Sequence, residues 1–450
     1  MKRIFLMMMF VLTSQFTVVG QEQTGGSTGD ESGDLKKQVE GINKTLLDLK
    51  TTVDALKKLK ISGYIQAQYQ VADTAFGGGW NVGNFAGGNF ARNSDNRYLL
   101  RRGRVKFTYD NDFSKFVVQI DVTPAGVGIK DAYFSITDPW QKTVSLTAGV
   151  FDRPFGYEIS YSSSQRESPE RSRMYQTLFP GERDLGAKIE IKPRKGVLSH
   201  FNLKAGLFNG MRENANENDS KKDFIGRFGF TLPLLEKKLT IDGGVSLYSG
   251  SVTSLTKGVY SWSAEGDSFA TRNSKSDSLK AITRQYIGGD LQIYFDVPAL
   301  GKATIRGEYI TGDQPSTQTS NSFYAVTSDT RLYKRNVSGY YVNYVQNIGS
   351  KNQFVLKYDV FDPNTKVSTK DFTPVTSGNG TLGRQLTSAD IKFNTMGIGW
   401  IYHWDSNVKF TIYYEKVWNE KTGNNISGDL ARYSKDLKDN IFTLRMQYRF

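Results

Sequence analysis

The sequence predicts an all-β transmembrane antiparallel barrel of about 16 strands, preceded by a short N-terminal coiled-coil helix. Three observations predict it. The last segment places Phe442, Leu444, Met446, Tyr448 and Phe450 on one face and Thr443, Arg445, Gln447 and Arg449 on the other. Such strict alternation sends one face of a strand to hydrocarbon and the other to water. The composition joins 13% aromatics and 44 glycines to a hydrophobic fraction of only 38%, which suits a wall with a lipid face and a wet face better than a compact enzyme core. Connections alternate between short and long along the chain, as they do in a barrel with tight turns at one end and loops at the other.

The elements follow in order. Residues 1–20 read as a secretory signal: Lys2 and Arg3 make the charged start, Ile4 to Leu12 the short apolar run, and Val18 and Gly20 a small-residue cleavage site before Gln21. Residues 21–34 form a polar, glycine-rich linker with nothing to bury. Residues 35–59 read as a periplasmic helix, because Leu35, Val39, Ile42, Leu46, Leu49, Val53 and Leu56 repeat at the 4, 3 spacing of a heptad seam. That seam calls for identical partners, as dimer or trimer, or for the outside of the protein's own barrel.

Residues 60–450 read as the barrel. Ile61, Gly63, Ile65, Ala67, Tyr69 and Val71 oppose Ser62, Tyr64, Gln66, Gln68 and Gln70, and Val408, Phe410, Ile412 and Tyr414 oppose Lys409, Thr411 and Glu415. Short turns are expected at 110–112, 137–142, 193–199, 233–238, 297–301, 347–351 and 403–407, and long polar loops at 72–96, 152–184, 210–222, 250–281, 311–335, 363–388 and 419–438. With the helix periplasmic, an even strand count returns the C-terminus to the periplasmic side. Trp140, Tyr402, Trp404 and Phe450 fall near the short turns, where an aromatic girdle belongs. The glycines of residues 77–90 fit a mobile external loop.

Candidate anion-path residues come from the inward faces. Arg102, Arg104 and Lys106 share a face opposite Val105, Phe107 and Tyr109, with Arg101 beside them, and Arg445 and Arg449 share the inward face of the last strand. Arginine in a pore lowers the cost for an anion to leave water and can grip an oxyanion with two N–H groups. The same residues could equally form a basic face neutralised by carboxylates such as Asp121 and Asp131. The loop from Asp152 to Asp184 adds Arg153 and Arg183 to the candidates, among nearly balanced charges. Folded inward it would constrict the channel, and folded outward it would be an ordinary surface loop.

Residues 148–158 (AGVFDRPFGYE), 183–186 (RDLG), 205–210 (AGLFNG) and 224–227, together with LLRRGRVKF at 99–107, resemble the successive signatures of the phosphate-selective porin O and P family. The resemblance implies a 16-stranded outer-membrane barrel, usually trimeric, through which anions diffuse. It carries over Arg101, Arg102 and Arg104 as anion-path candidates.

Other classes find little material. There is no cysteine, and His200 and His403 are the only histidines, both beside short turns, so neither a catalytic triad, a metal site nor a cofactor is expected. The net charge of +13 on an exported chain points to membrane lipid and small anionic solutes as partners and away from nucleic acid. Two functions fit: a general or anion-preferring outer-membrane porin passing small hydrophilic solutes such as phosphate, or a barrel whose external loops recognise a glycan or protein partner.

Overall fold

The computed structural model describes residues 31–75, 81–213, 217, 219–234, 236, 238–263, 268–271, 277–322, 330–372, 385–423, 426 and 428–450. The expected signal segment and linker residues 21–30 lie outside these. The chain forms two units, Met1–Lys57 and Lys58–Phe450.

In the first unit the helix α1 spans Glu31–Lys58, four residues earlier than the heptad pattern alone suggests. On this single chain its seam is exposed from end to end, with Leu35 at 65% and Val53 at 40%. An uncovered seam is an unspent hydrophobic face.

Among the described residues the second unit contains eighteen strands, of which sixteen close a barrel and two form a hairpin beyond its rim. The wall runs β1 (Leu59–Ala72), β2 (Asn96–Asn111), β3 (Ser114–Thr123), β4 (Gly126–Thr137), β5 (Val144–Asp152), β6 (Arg183–Ile191), β7 (Phe201–Phe208), β8 (Asp223–Leu234) and β9 (Leu239–Thr253). After the hairpin β10 (Val259–Ser263) and β11 (Ser268–Thr271) it continues with β12 (Ala281–Val297), β13 (Gly301–Ser316), β14 (Leu332–Ile348), β15 (Asn352–Asp362), β16 (Phe393–His403), β17 (Val408–Asn419) and β18 (Ile441–Arg449). All wall pairings are antiparallel, and β18 pairs with β1 to remove the free edges.

Burial in this wall is inside out. Phe442, Leu444, Met446 and Tyr448 of β18 are exposed while Thr443, Arg445 and Gln447 between them are buried, and in β1 Ile61 and Ile65 are exposed while Gln66, Gln68 and Gln70 are buried. A water-soluble sandwich would bury the opposite set. Exposed apolar and buried polar side chains on one strand are the arrangement of a wall standing in lipid.

Closure depends on a close approach at Gly63. Its N–H donates to the Phe450 carbonyl at 3.1 Å and its carbonyl accepts the Phe450 N–H at 3.0 Å. A β-carbon there would meet the Phe450 ring at 2.7 Å as well as backbone, so the terminal ring and a glycine are matched across the seam.

Seven short turns gather at one end, and loops at the other. The exception is the connection of Pro124 and Ala125 between β3 and β4, a tight turn at the long-loop end. At the short-turn end Trp140, Trp404 and Phe450 are exposed. Described residues of the glycine-rich stretch pack closely: Val82, Ala86 and Phe90 form a buried cluster with Ala72 and Ile441. Aromatic burial therefore overrides the mobile-loop reading of the glycines there.

Candidate functional site: a loop latched across the lumen

The connection between β5 and β6, residues 153–182, folds into the barrel and lies against the opposite wall. Its one helical turn, α2 (Arg173–Leu178), buries Met174, Tyr175 and Leu178 with Phe155 and Phe179 against Tyr248, Tyr286, Ile310 and Tyr341 of β9, β12, β13 and β14. This is the largest apolar cluster in the barrel, and it sits at the loop instead of under a sheet. Aromatic pairs such as Phe155–Phe179, 5.0 Å between ring centres, fix the loop by area and by geometry.

Polar anchors repeat along the loop. Gly156 takes φ +62°, where an added β-carbon would collide with the Tyr175 hydroxyl and Glu308. The two N–H groups that follow, of Tyr157 and Glu158, donate to Glu308 at 2.6 and 2.7 Å, and the hydroxyls of Tyr175 and Tyr341 donate to the same carboxylate at 2.5 Å. Four donors thus satisfy a buried wall carboxylate. Glu158 accepts from Lys357 Nζ at 2.8 Å and from the Ser172 hydroxyl at 2.6 Å, and Glu167 accepts from Arg306 at 2.8 Å. Tyr64 of β1 and Ser163 of the loop share a 2.5 Å hydroxyl contact.

The densest anchor is Glu170. Arg101 grips it with two N–H groups at 2.8 and 2.9 Å, Arg102 donates at 3.0 Å, and Arg445 donates at 3.0 Å. Two consecutive arginines can do this because β2 carries a bulge: Gln66 pairs with Arg102 and Ala67 with Leu100, leaving Arg101 without a Cα partner. Burial alone would push the Glu170 carboxyl up, but Arg101, Arg102 and Arg445 outweigh it and hold the group well below the usual carboxylate range.

The predicted site residues therefore divide. Arg101, Arg102 and Arg445 meet at Glu170. Arg104 pairs with Asp121 at 2.9 Å, Arg183 with Asp131 at 3.0 Å and Glu182 at 2.6 Å, and the fully buried Arg153 with Asp184 at 3.4 Å. The neutralising carboxylates include Asp121 and Asp131, as the counter-charge reading anticipates. Lys106 and Arg449 stand apart, with no ion pair among the described residues. The two histidines lie apart, each hydrogen-bonded near the short turns, His200 Nδ1 3.0 Å from the Thr231 carbonyl and His403 Nε2 3.0 Å from Gln353 Oε1.

Sequence reasoning missed the receiving wall. Arg306, Glu308, Lys357 and Lys409 all hold the loop, Lys409 by a 3.4 Å bond to the Arg166 carbonyl. Their signal was present as charged residues on the polar face of alternating strands. Which of them meets the loop depends on how far it crosses the lumen, and alternation does not encode that.

Space remains on both sides of the loop. Towards the long-loop end a cavity of about 480 Å³ is bordered by Arg101, Arg104, Asp121, Lys130, Glu170 and Glu182. Towards the short turns a cavity of about 740 Å³ runs along β3–β6, past Tyr133, Asp152 and Lys188.

A closed barrel with a lipid-matched exterior, a polar interior and a loop folded across its lumen defines a diffusion channel of the outer membrane. Residues 76–237 match the family described as phosphate-selective porin O and P, and with the fold this makes the chain an outer-membrane porin. The fold is shared with OprB of Pseudomonas putida, at 9% identity and a TM-score of 0.51 over 89% of this chain and 96% of that one. It is shared also with the outer membrane channel DcaP of Acinetobacter baumannii, at 14% identity and a TM-score of 0.50 over 87% of this chain and 97% of that one. No curated protein sequence matches the chain.

Proposed function

We propose that this porin is a passive pore with a preference for small hydrophilic anions, phosphate among them, and that it is a channel without catalytic activity. The observation that carries the preference is a band of cations on the inner faces of four adjacent strands near the short-turn end: Lys409 on β17, Arg449 on β18, Lys60 on β1 and Lys106 on β2. None has an ion pair among the described residues. The arginines higher in the lumen each meet a carboxylate, three of them sharing Glu170, so this lower band supplies the cations that have no counter-charge beside them. Unpaired cations lining a low-dielectric wall lower the entry cost for anions and raise it for cations.

The same reading places the short turns and both termini in the periplasm, with residues 1–20 removed on export. Outward strand faces meet lipid, and the exposed seam of α1, Leu35 to Leu56, supports assembly as a homotrimer. Deleting residues 35–59 then weakens the trimer, and an unaltered trimer would remove the helix from that role. Incorporation into planar bilayers tests the pore itself. Open, ohmic conductance with an anion-directed reversal potential in a KCl gradient is expected, and a sealed barrel would overturn the proposal.

A further inference from the structure

Above the latched loop, at the long-loop end, lies a second cavity of about 430 Å³ whose charge runs opposite to the lower band. Four carboxylates line it, Asp359, Glu415, Asp429 and Asp439, with three guanidiniums, Arg171, Arg173 and Arg432. Two of the guanidiniums are spent: Arg171 pairs with Glu182, and Arg432 pairs with Asp429 at 2.7 Å. Lys357, the nearest wall ammonium, is held by Glu158 at 2.8 Å. Asp359, Glu415 and Asp439 are left with Arg173 and the already engaged Lys357 as the cations near them.

These groups are incompletely satisfied. Asp359 is 6% exposed, its Oδ2 accepts the Arg173 backbone N–H at 3.3 Å, and its Oδ1 has no hydrogen-bond partner. Asp439 Oδ1 and Arg173 Nε are likewise buried without partners. Glu415 forms no ion pair among the described residues. Buried acceptors without donors cost free energy until a ligand or water supplies them. The pocket also shows how it accommodates a cation, because the Arg173 guanidinium lies between the rings of Phe85 and Phe393, 4.0 and 4.3 Å from their centroids.

We propose that this cavity is a subsite for a primary ammonium group carried on a small polar solute. An ammonium brings three N–H donors and one positive charge, which match the two buried carboxylate oxygens without donors, of Asp359 and Asp439, and the Glu415 carboxylate without an ion pair among the described residues. Its volume accommodates a short diamine or an amino sugar. The solutes this implies are zwitterionic or cationic at the mouth, before the basic band further down, so the two regions would read opposite ends of one solute. The electrical test rests on the pore reading, and the binding test does not.

Putrescine added to the long-loop side of the reconstituted full-length protein should block current at a concentration about tenfold lower than from the short-turn side. The isosteric diol, butane-1,4-diol, should not block. The double variant Asp359→Asn with Glu415→Gln, and separately Asp439→Asn, which leaves the wall untouched, should each raise the blocking concentration, the double by about tenfold. Heat-modifiable migration of the barrel reports that each variant is folded. Equal block from both sides, or block unaltered in both variants, would overturn the subsite. Calorimetric binding of putrescine to detergent-solubilised protein that gives no conductance would overturn the pore reading and keep the subsite. No heat of binding together with no block would remove the subsite and leave the pore.

Discussion

Two sets of cations stand on the inner faces of the same strands and do opposite things. Arg102, Arg104 and Arg445, joined by the bulged Arg101, are clamped by Glu170 and Asp121. Lys60, Lys106, Lys409 and Arg449, one or two pleats nearer the short turns on β17, β18, β1 and β2, meet no carboxylate within ion-pair distance among the described residues. Both sets are cationic and close in wall position, four arginines above and three lysines with one arginine below. What differs is whether a carboxylate stands opposite, Glu170 from the inward loop or Asp121 from the neighbouring strand β3. Upper arginines serve as latch plates that hold a constriction, and Lys409 also touches the loop through the Arg166 carbonyl, whereas Lys60, Lys106 and Arg449 are the cations that the proposed function sets to act on solutes. Charge along a strand therefore reports a pore's field only after the charges delivered by its inward loop have been subtracted.

The largest effect expected is at the latch. Glu170→Gln removes one carboxylate from three guanidiniums, and stripping the partner from buried charges costs on the order of 3–5 kcal/mol. The loop should leave the wall, with a higher single-channel conductance and a stronger anion preference as Arg101, Arg102 and Arg445 become available. Unaltered conductance with unaltered selectivity would mean that the aromatic cluster and the anchors at Glu158, Glu167 and Glu308 hold the loop without Glu170.

The next effect separates the two sets directly. Replacing Lys106 and Arg449 with Glu should reverse the sign of the reversal potential, because both act on the lumen unpaired. Removing the pair Arg104 and Asp121 together, as Gln and Asn, should leave the reversal potential near its starting value. Losing the pair withdraws no net charge.

A pH series sharpens the account of the latch. Glu170 has its folded pKa depressed, so its stabilising contribution is fully present above the ordinary carboxylate value of about 4.3 and disappears only as pH falls through the depressed value. Between pH 7 and pH 5 the channel should not visit the high-conductance level of Glu170→Gln. Asp439, raised by burial to about 6 with Arg173 opposing the rise, should gain its proton over the same interval. Amine block should weaken there while the constriction stays closed. The smallest effect is that of salt: raising KCl from 0.1 to 1 M shortens the screening length from about 10 to about 3 Å and should reduce the anion preference of the lower band.

Much of this architecture was legible in the chain. Period-2 alternation identified strands such as Phe442–Phe450, and polar connections located their ends, because a lipid-facing wall imposes the alternation at nearly every residue. The turn at Pro124 and Ala125 escaped, since two residues carry little loop signal. The site was legible in part. The charged, arginine-rich character of residues 152–184 and the double arginine of β2 were visible, but the direction in which the loop folds was not. That direction depends on many weak encounters distant in sequence, Glu170 with Arg445 or Tyr157 with Glu308 among them. No local pattern encodes such pairs.

In the proposed function the lower band carries the selectivity and the latched arginines do not. The most direct measurement is the zero-current potential across a tenfold KCl gradient for the parent protein, for Lys106→Glu with Arg449→Glu, and for Arg104→Gln with Asp121→Asn. An anion-directed potential that reverses in the first pair of substitutions and persists in the second is the predicted result. Persistence in the first and loss in the second would contradict it and return the anion path to the arginines at the latch.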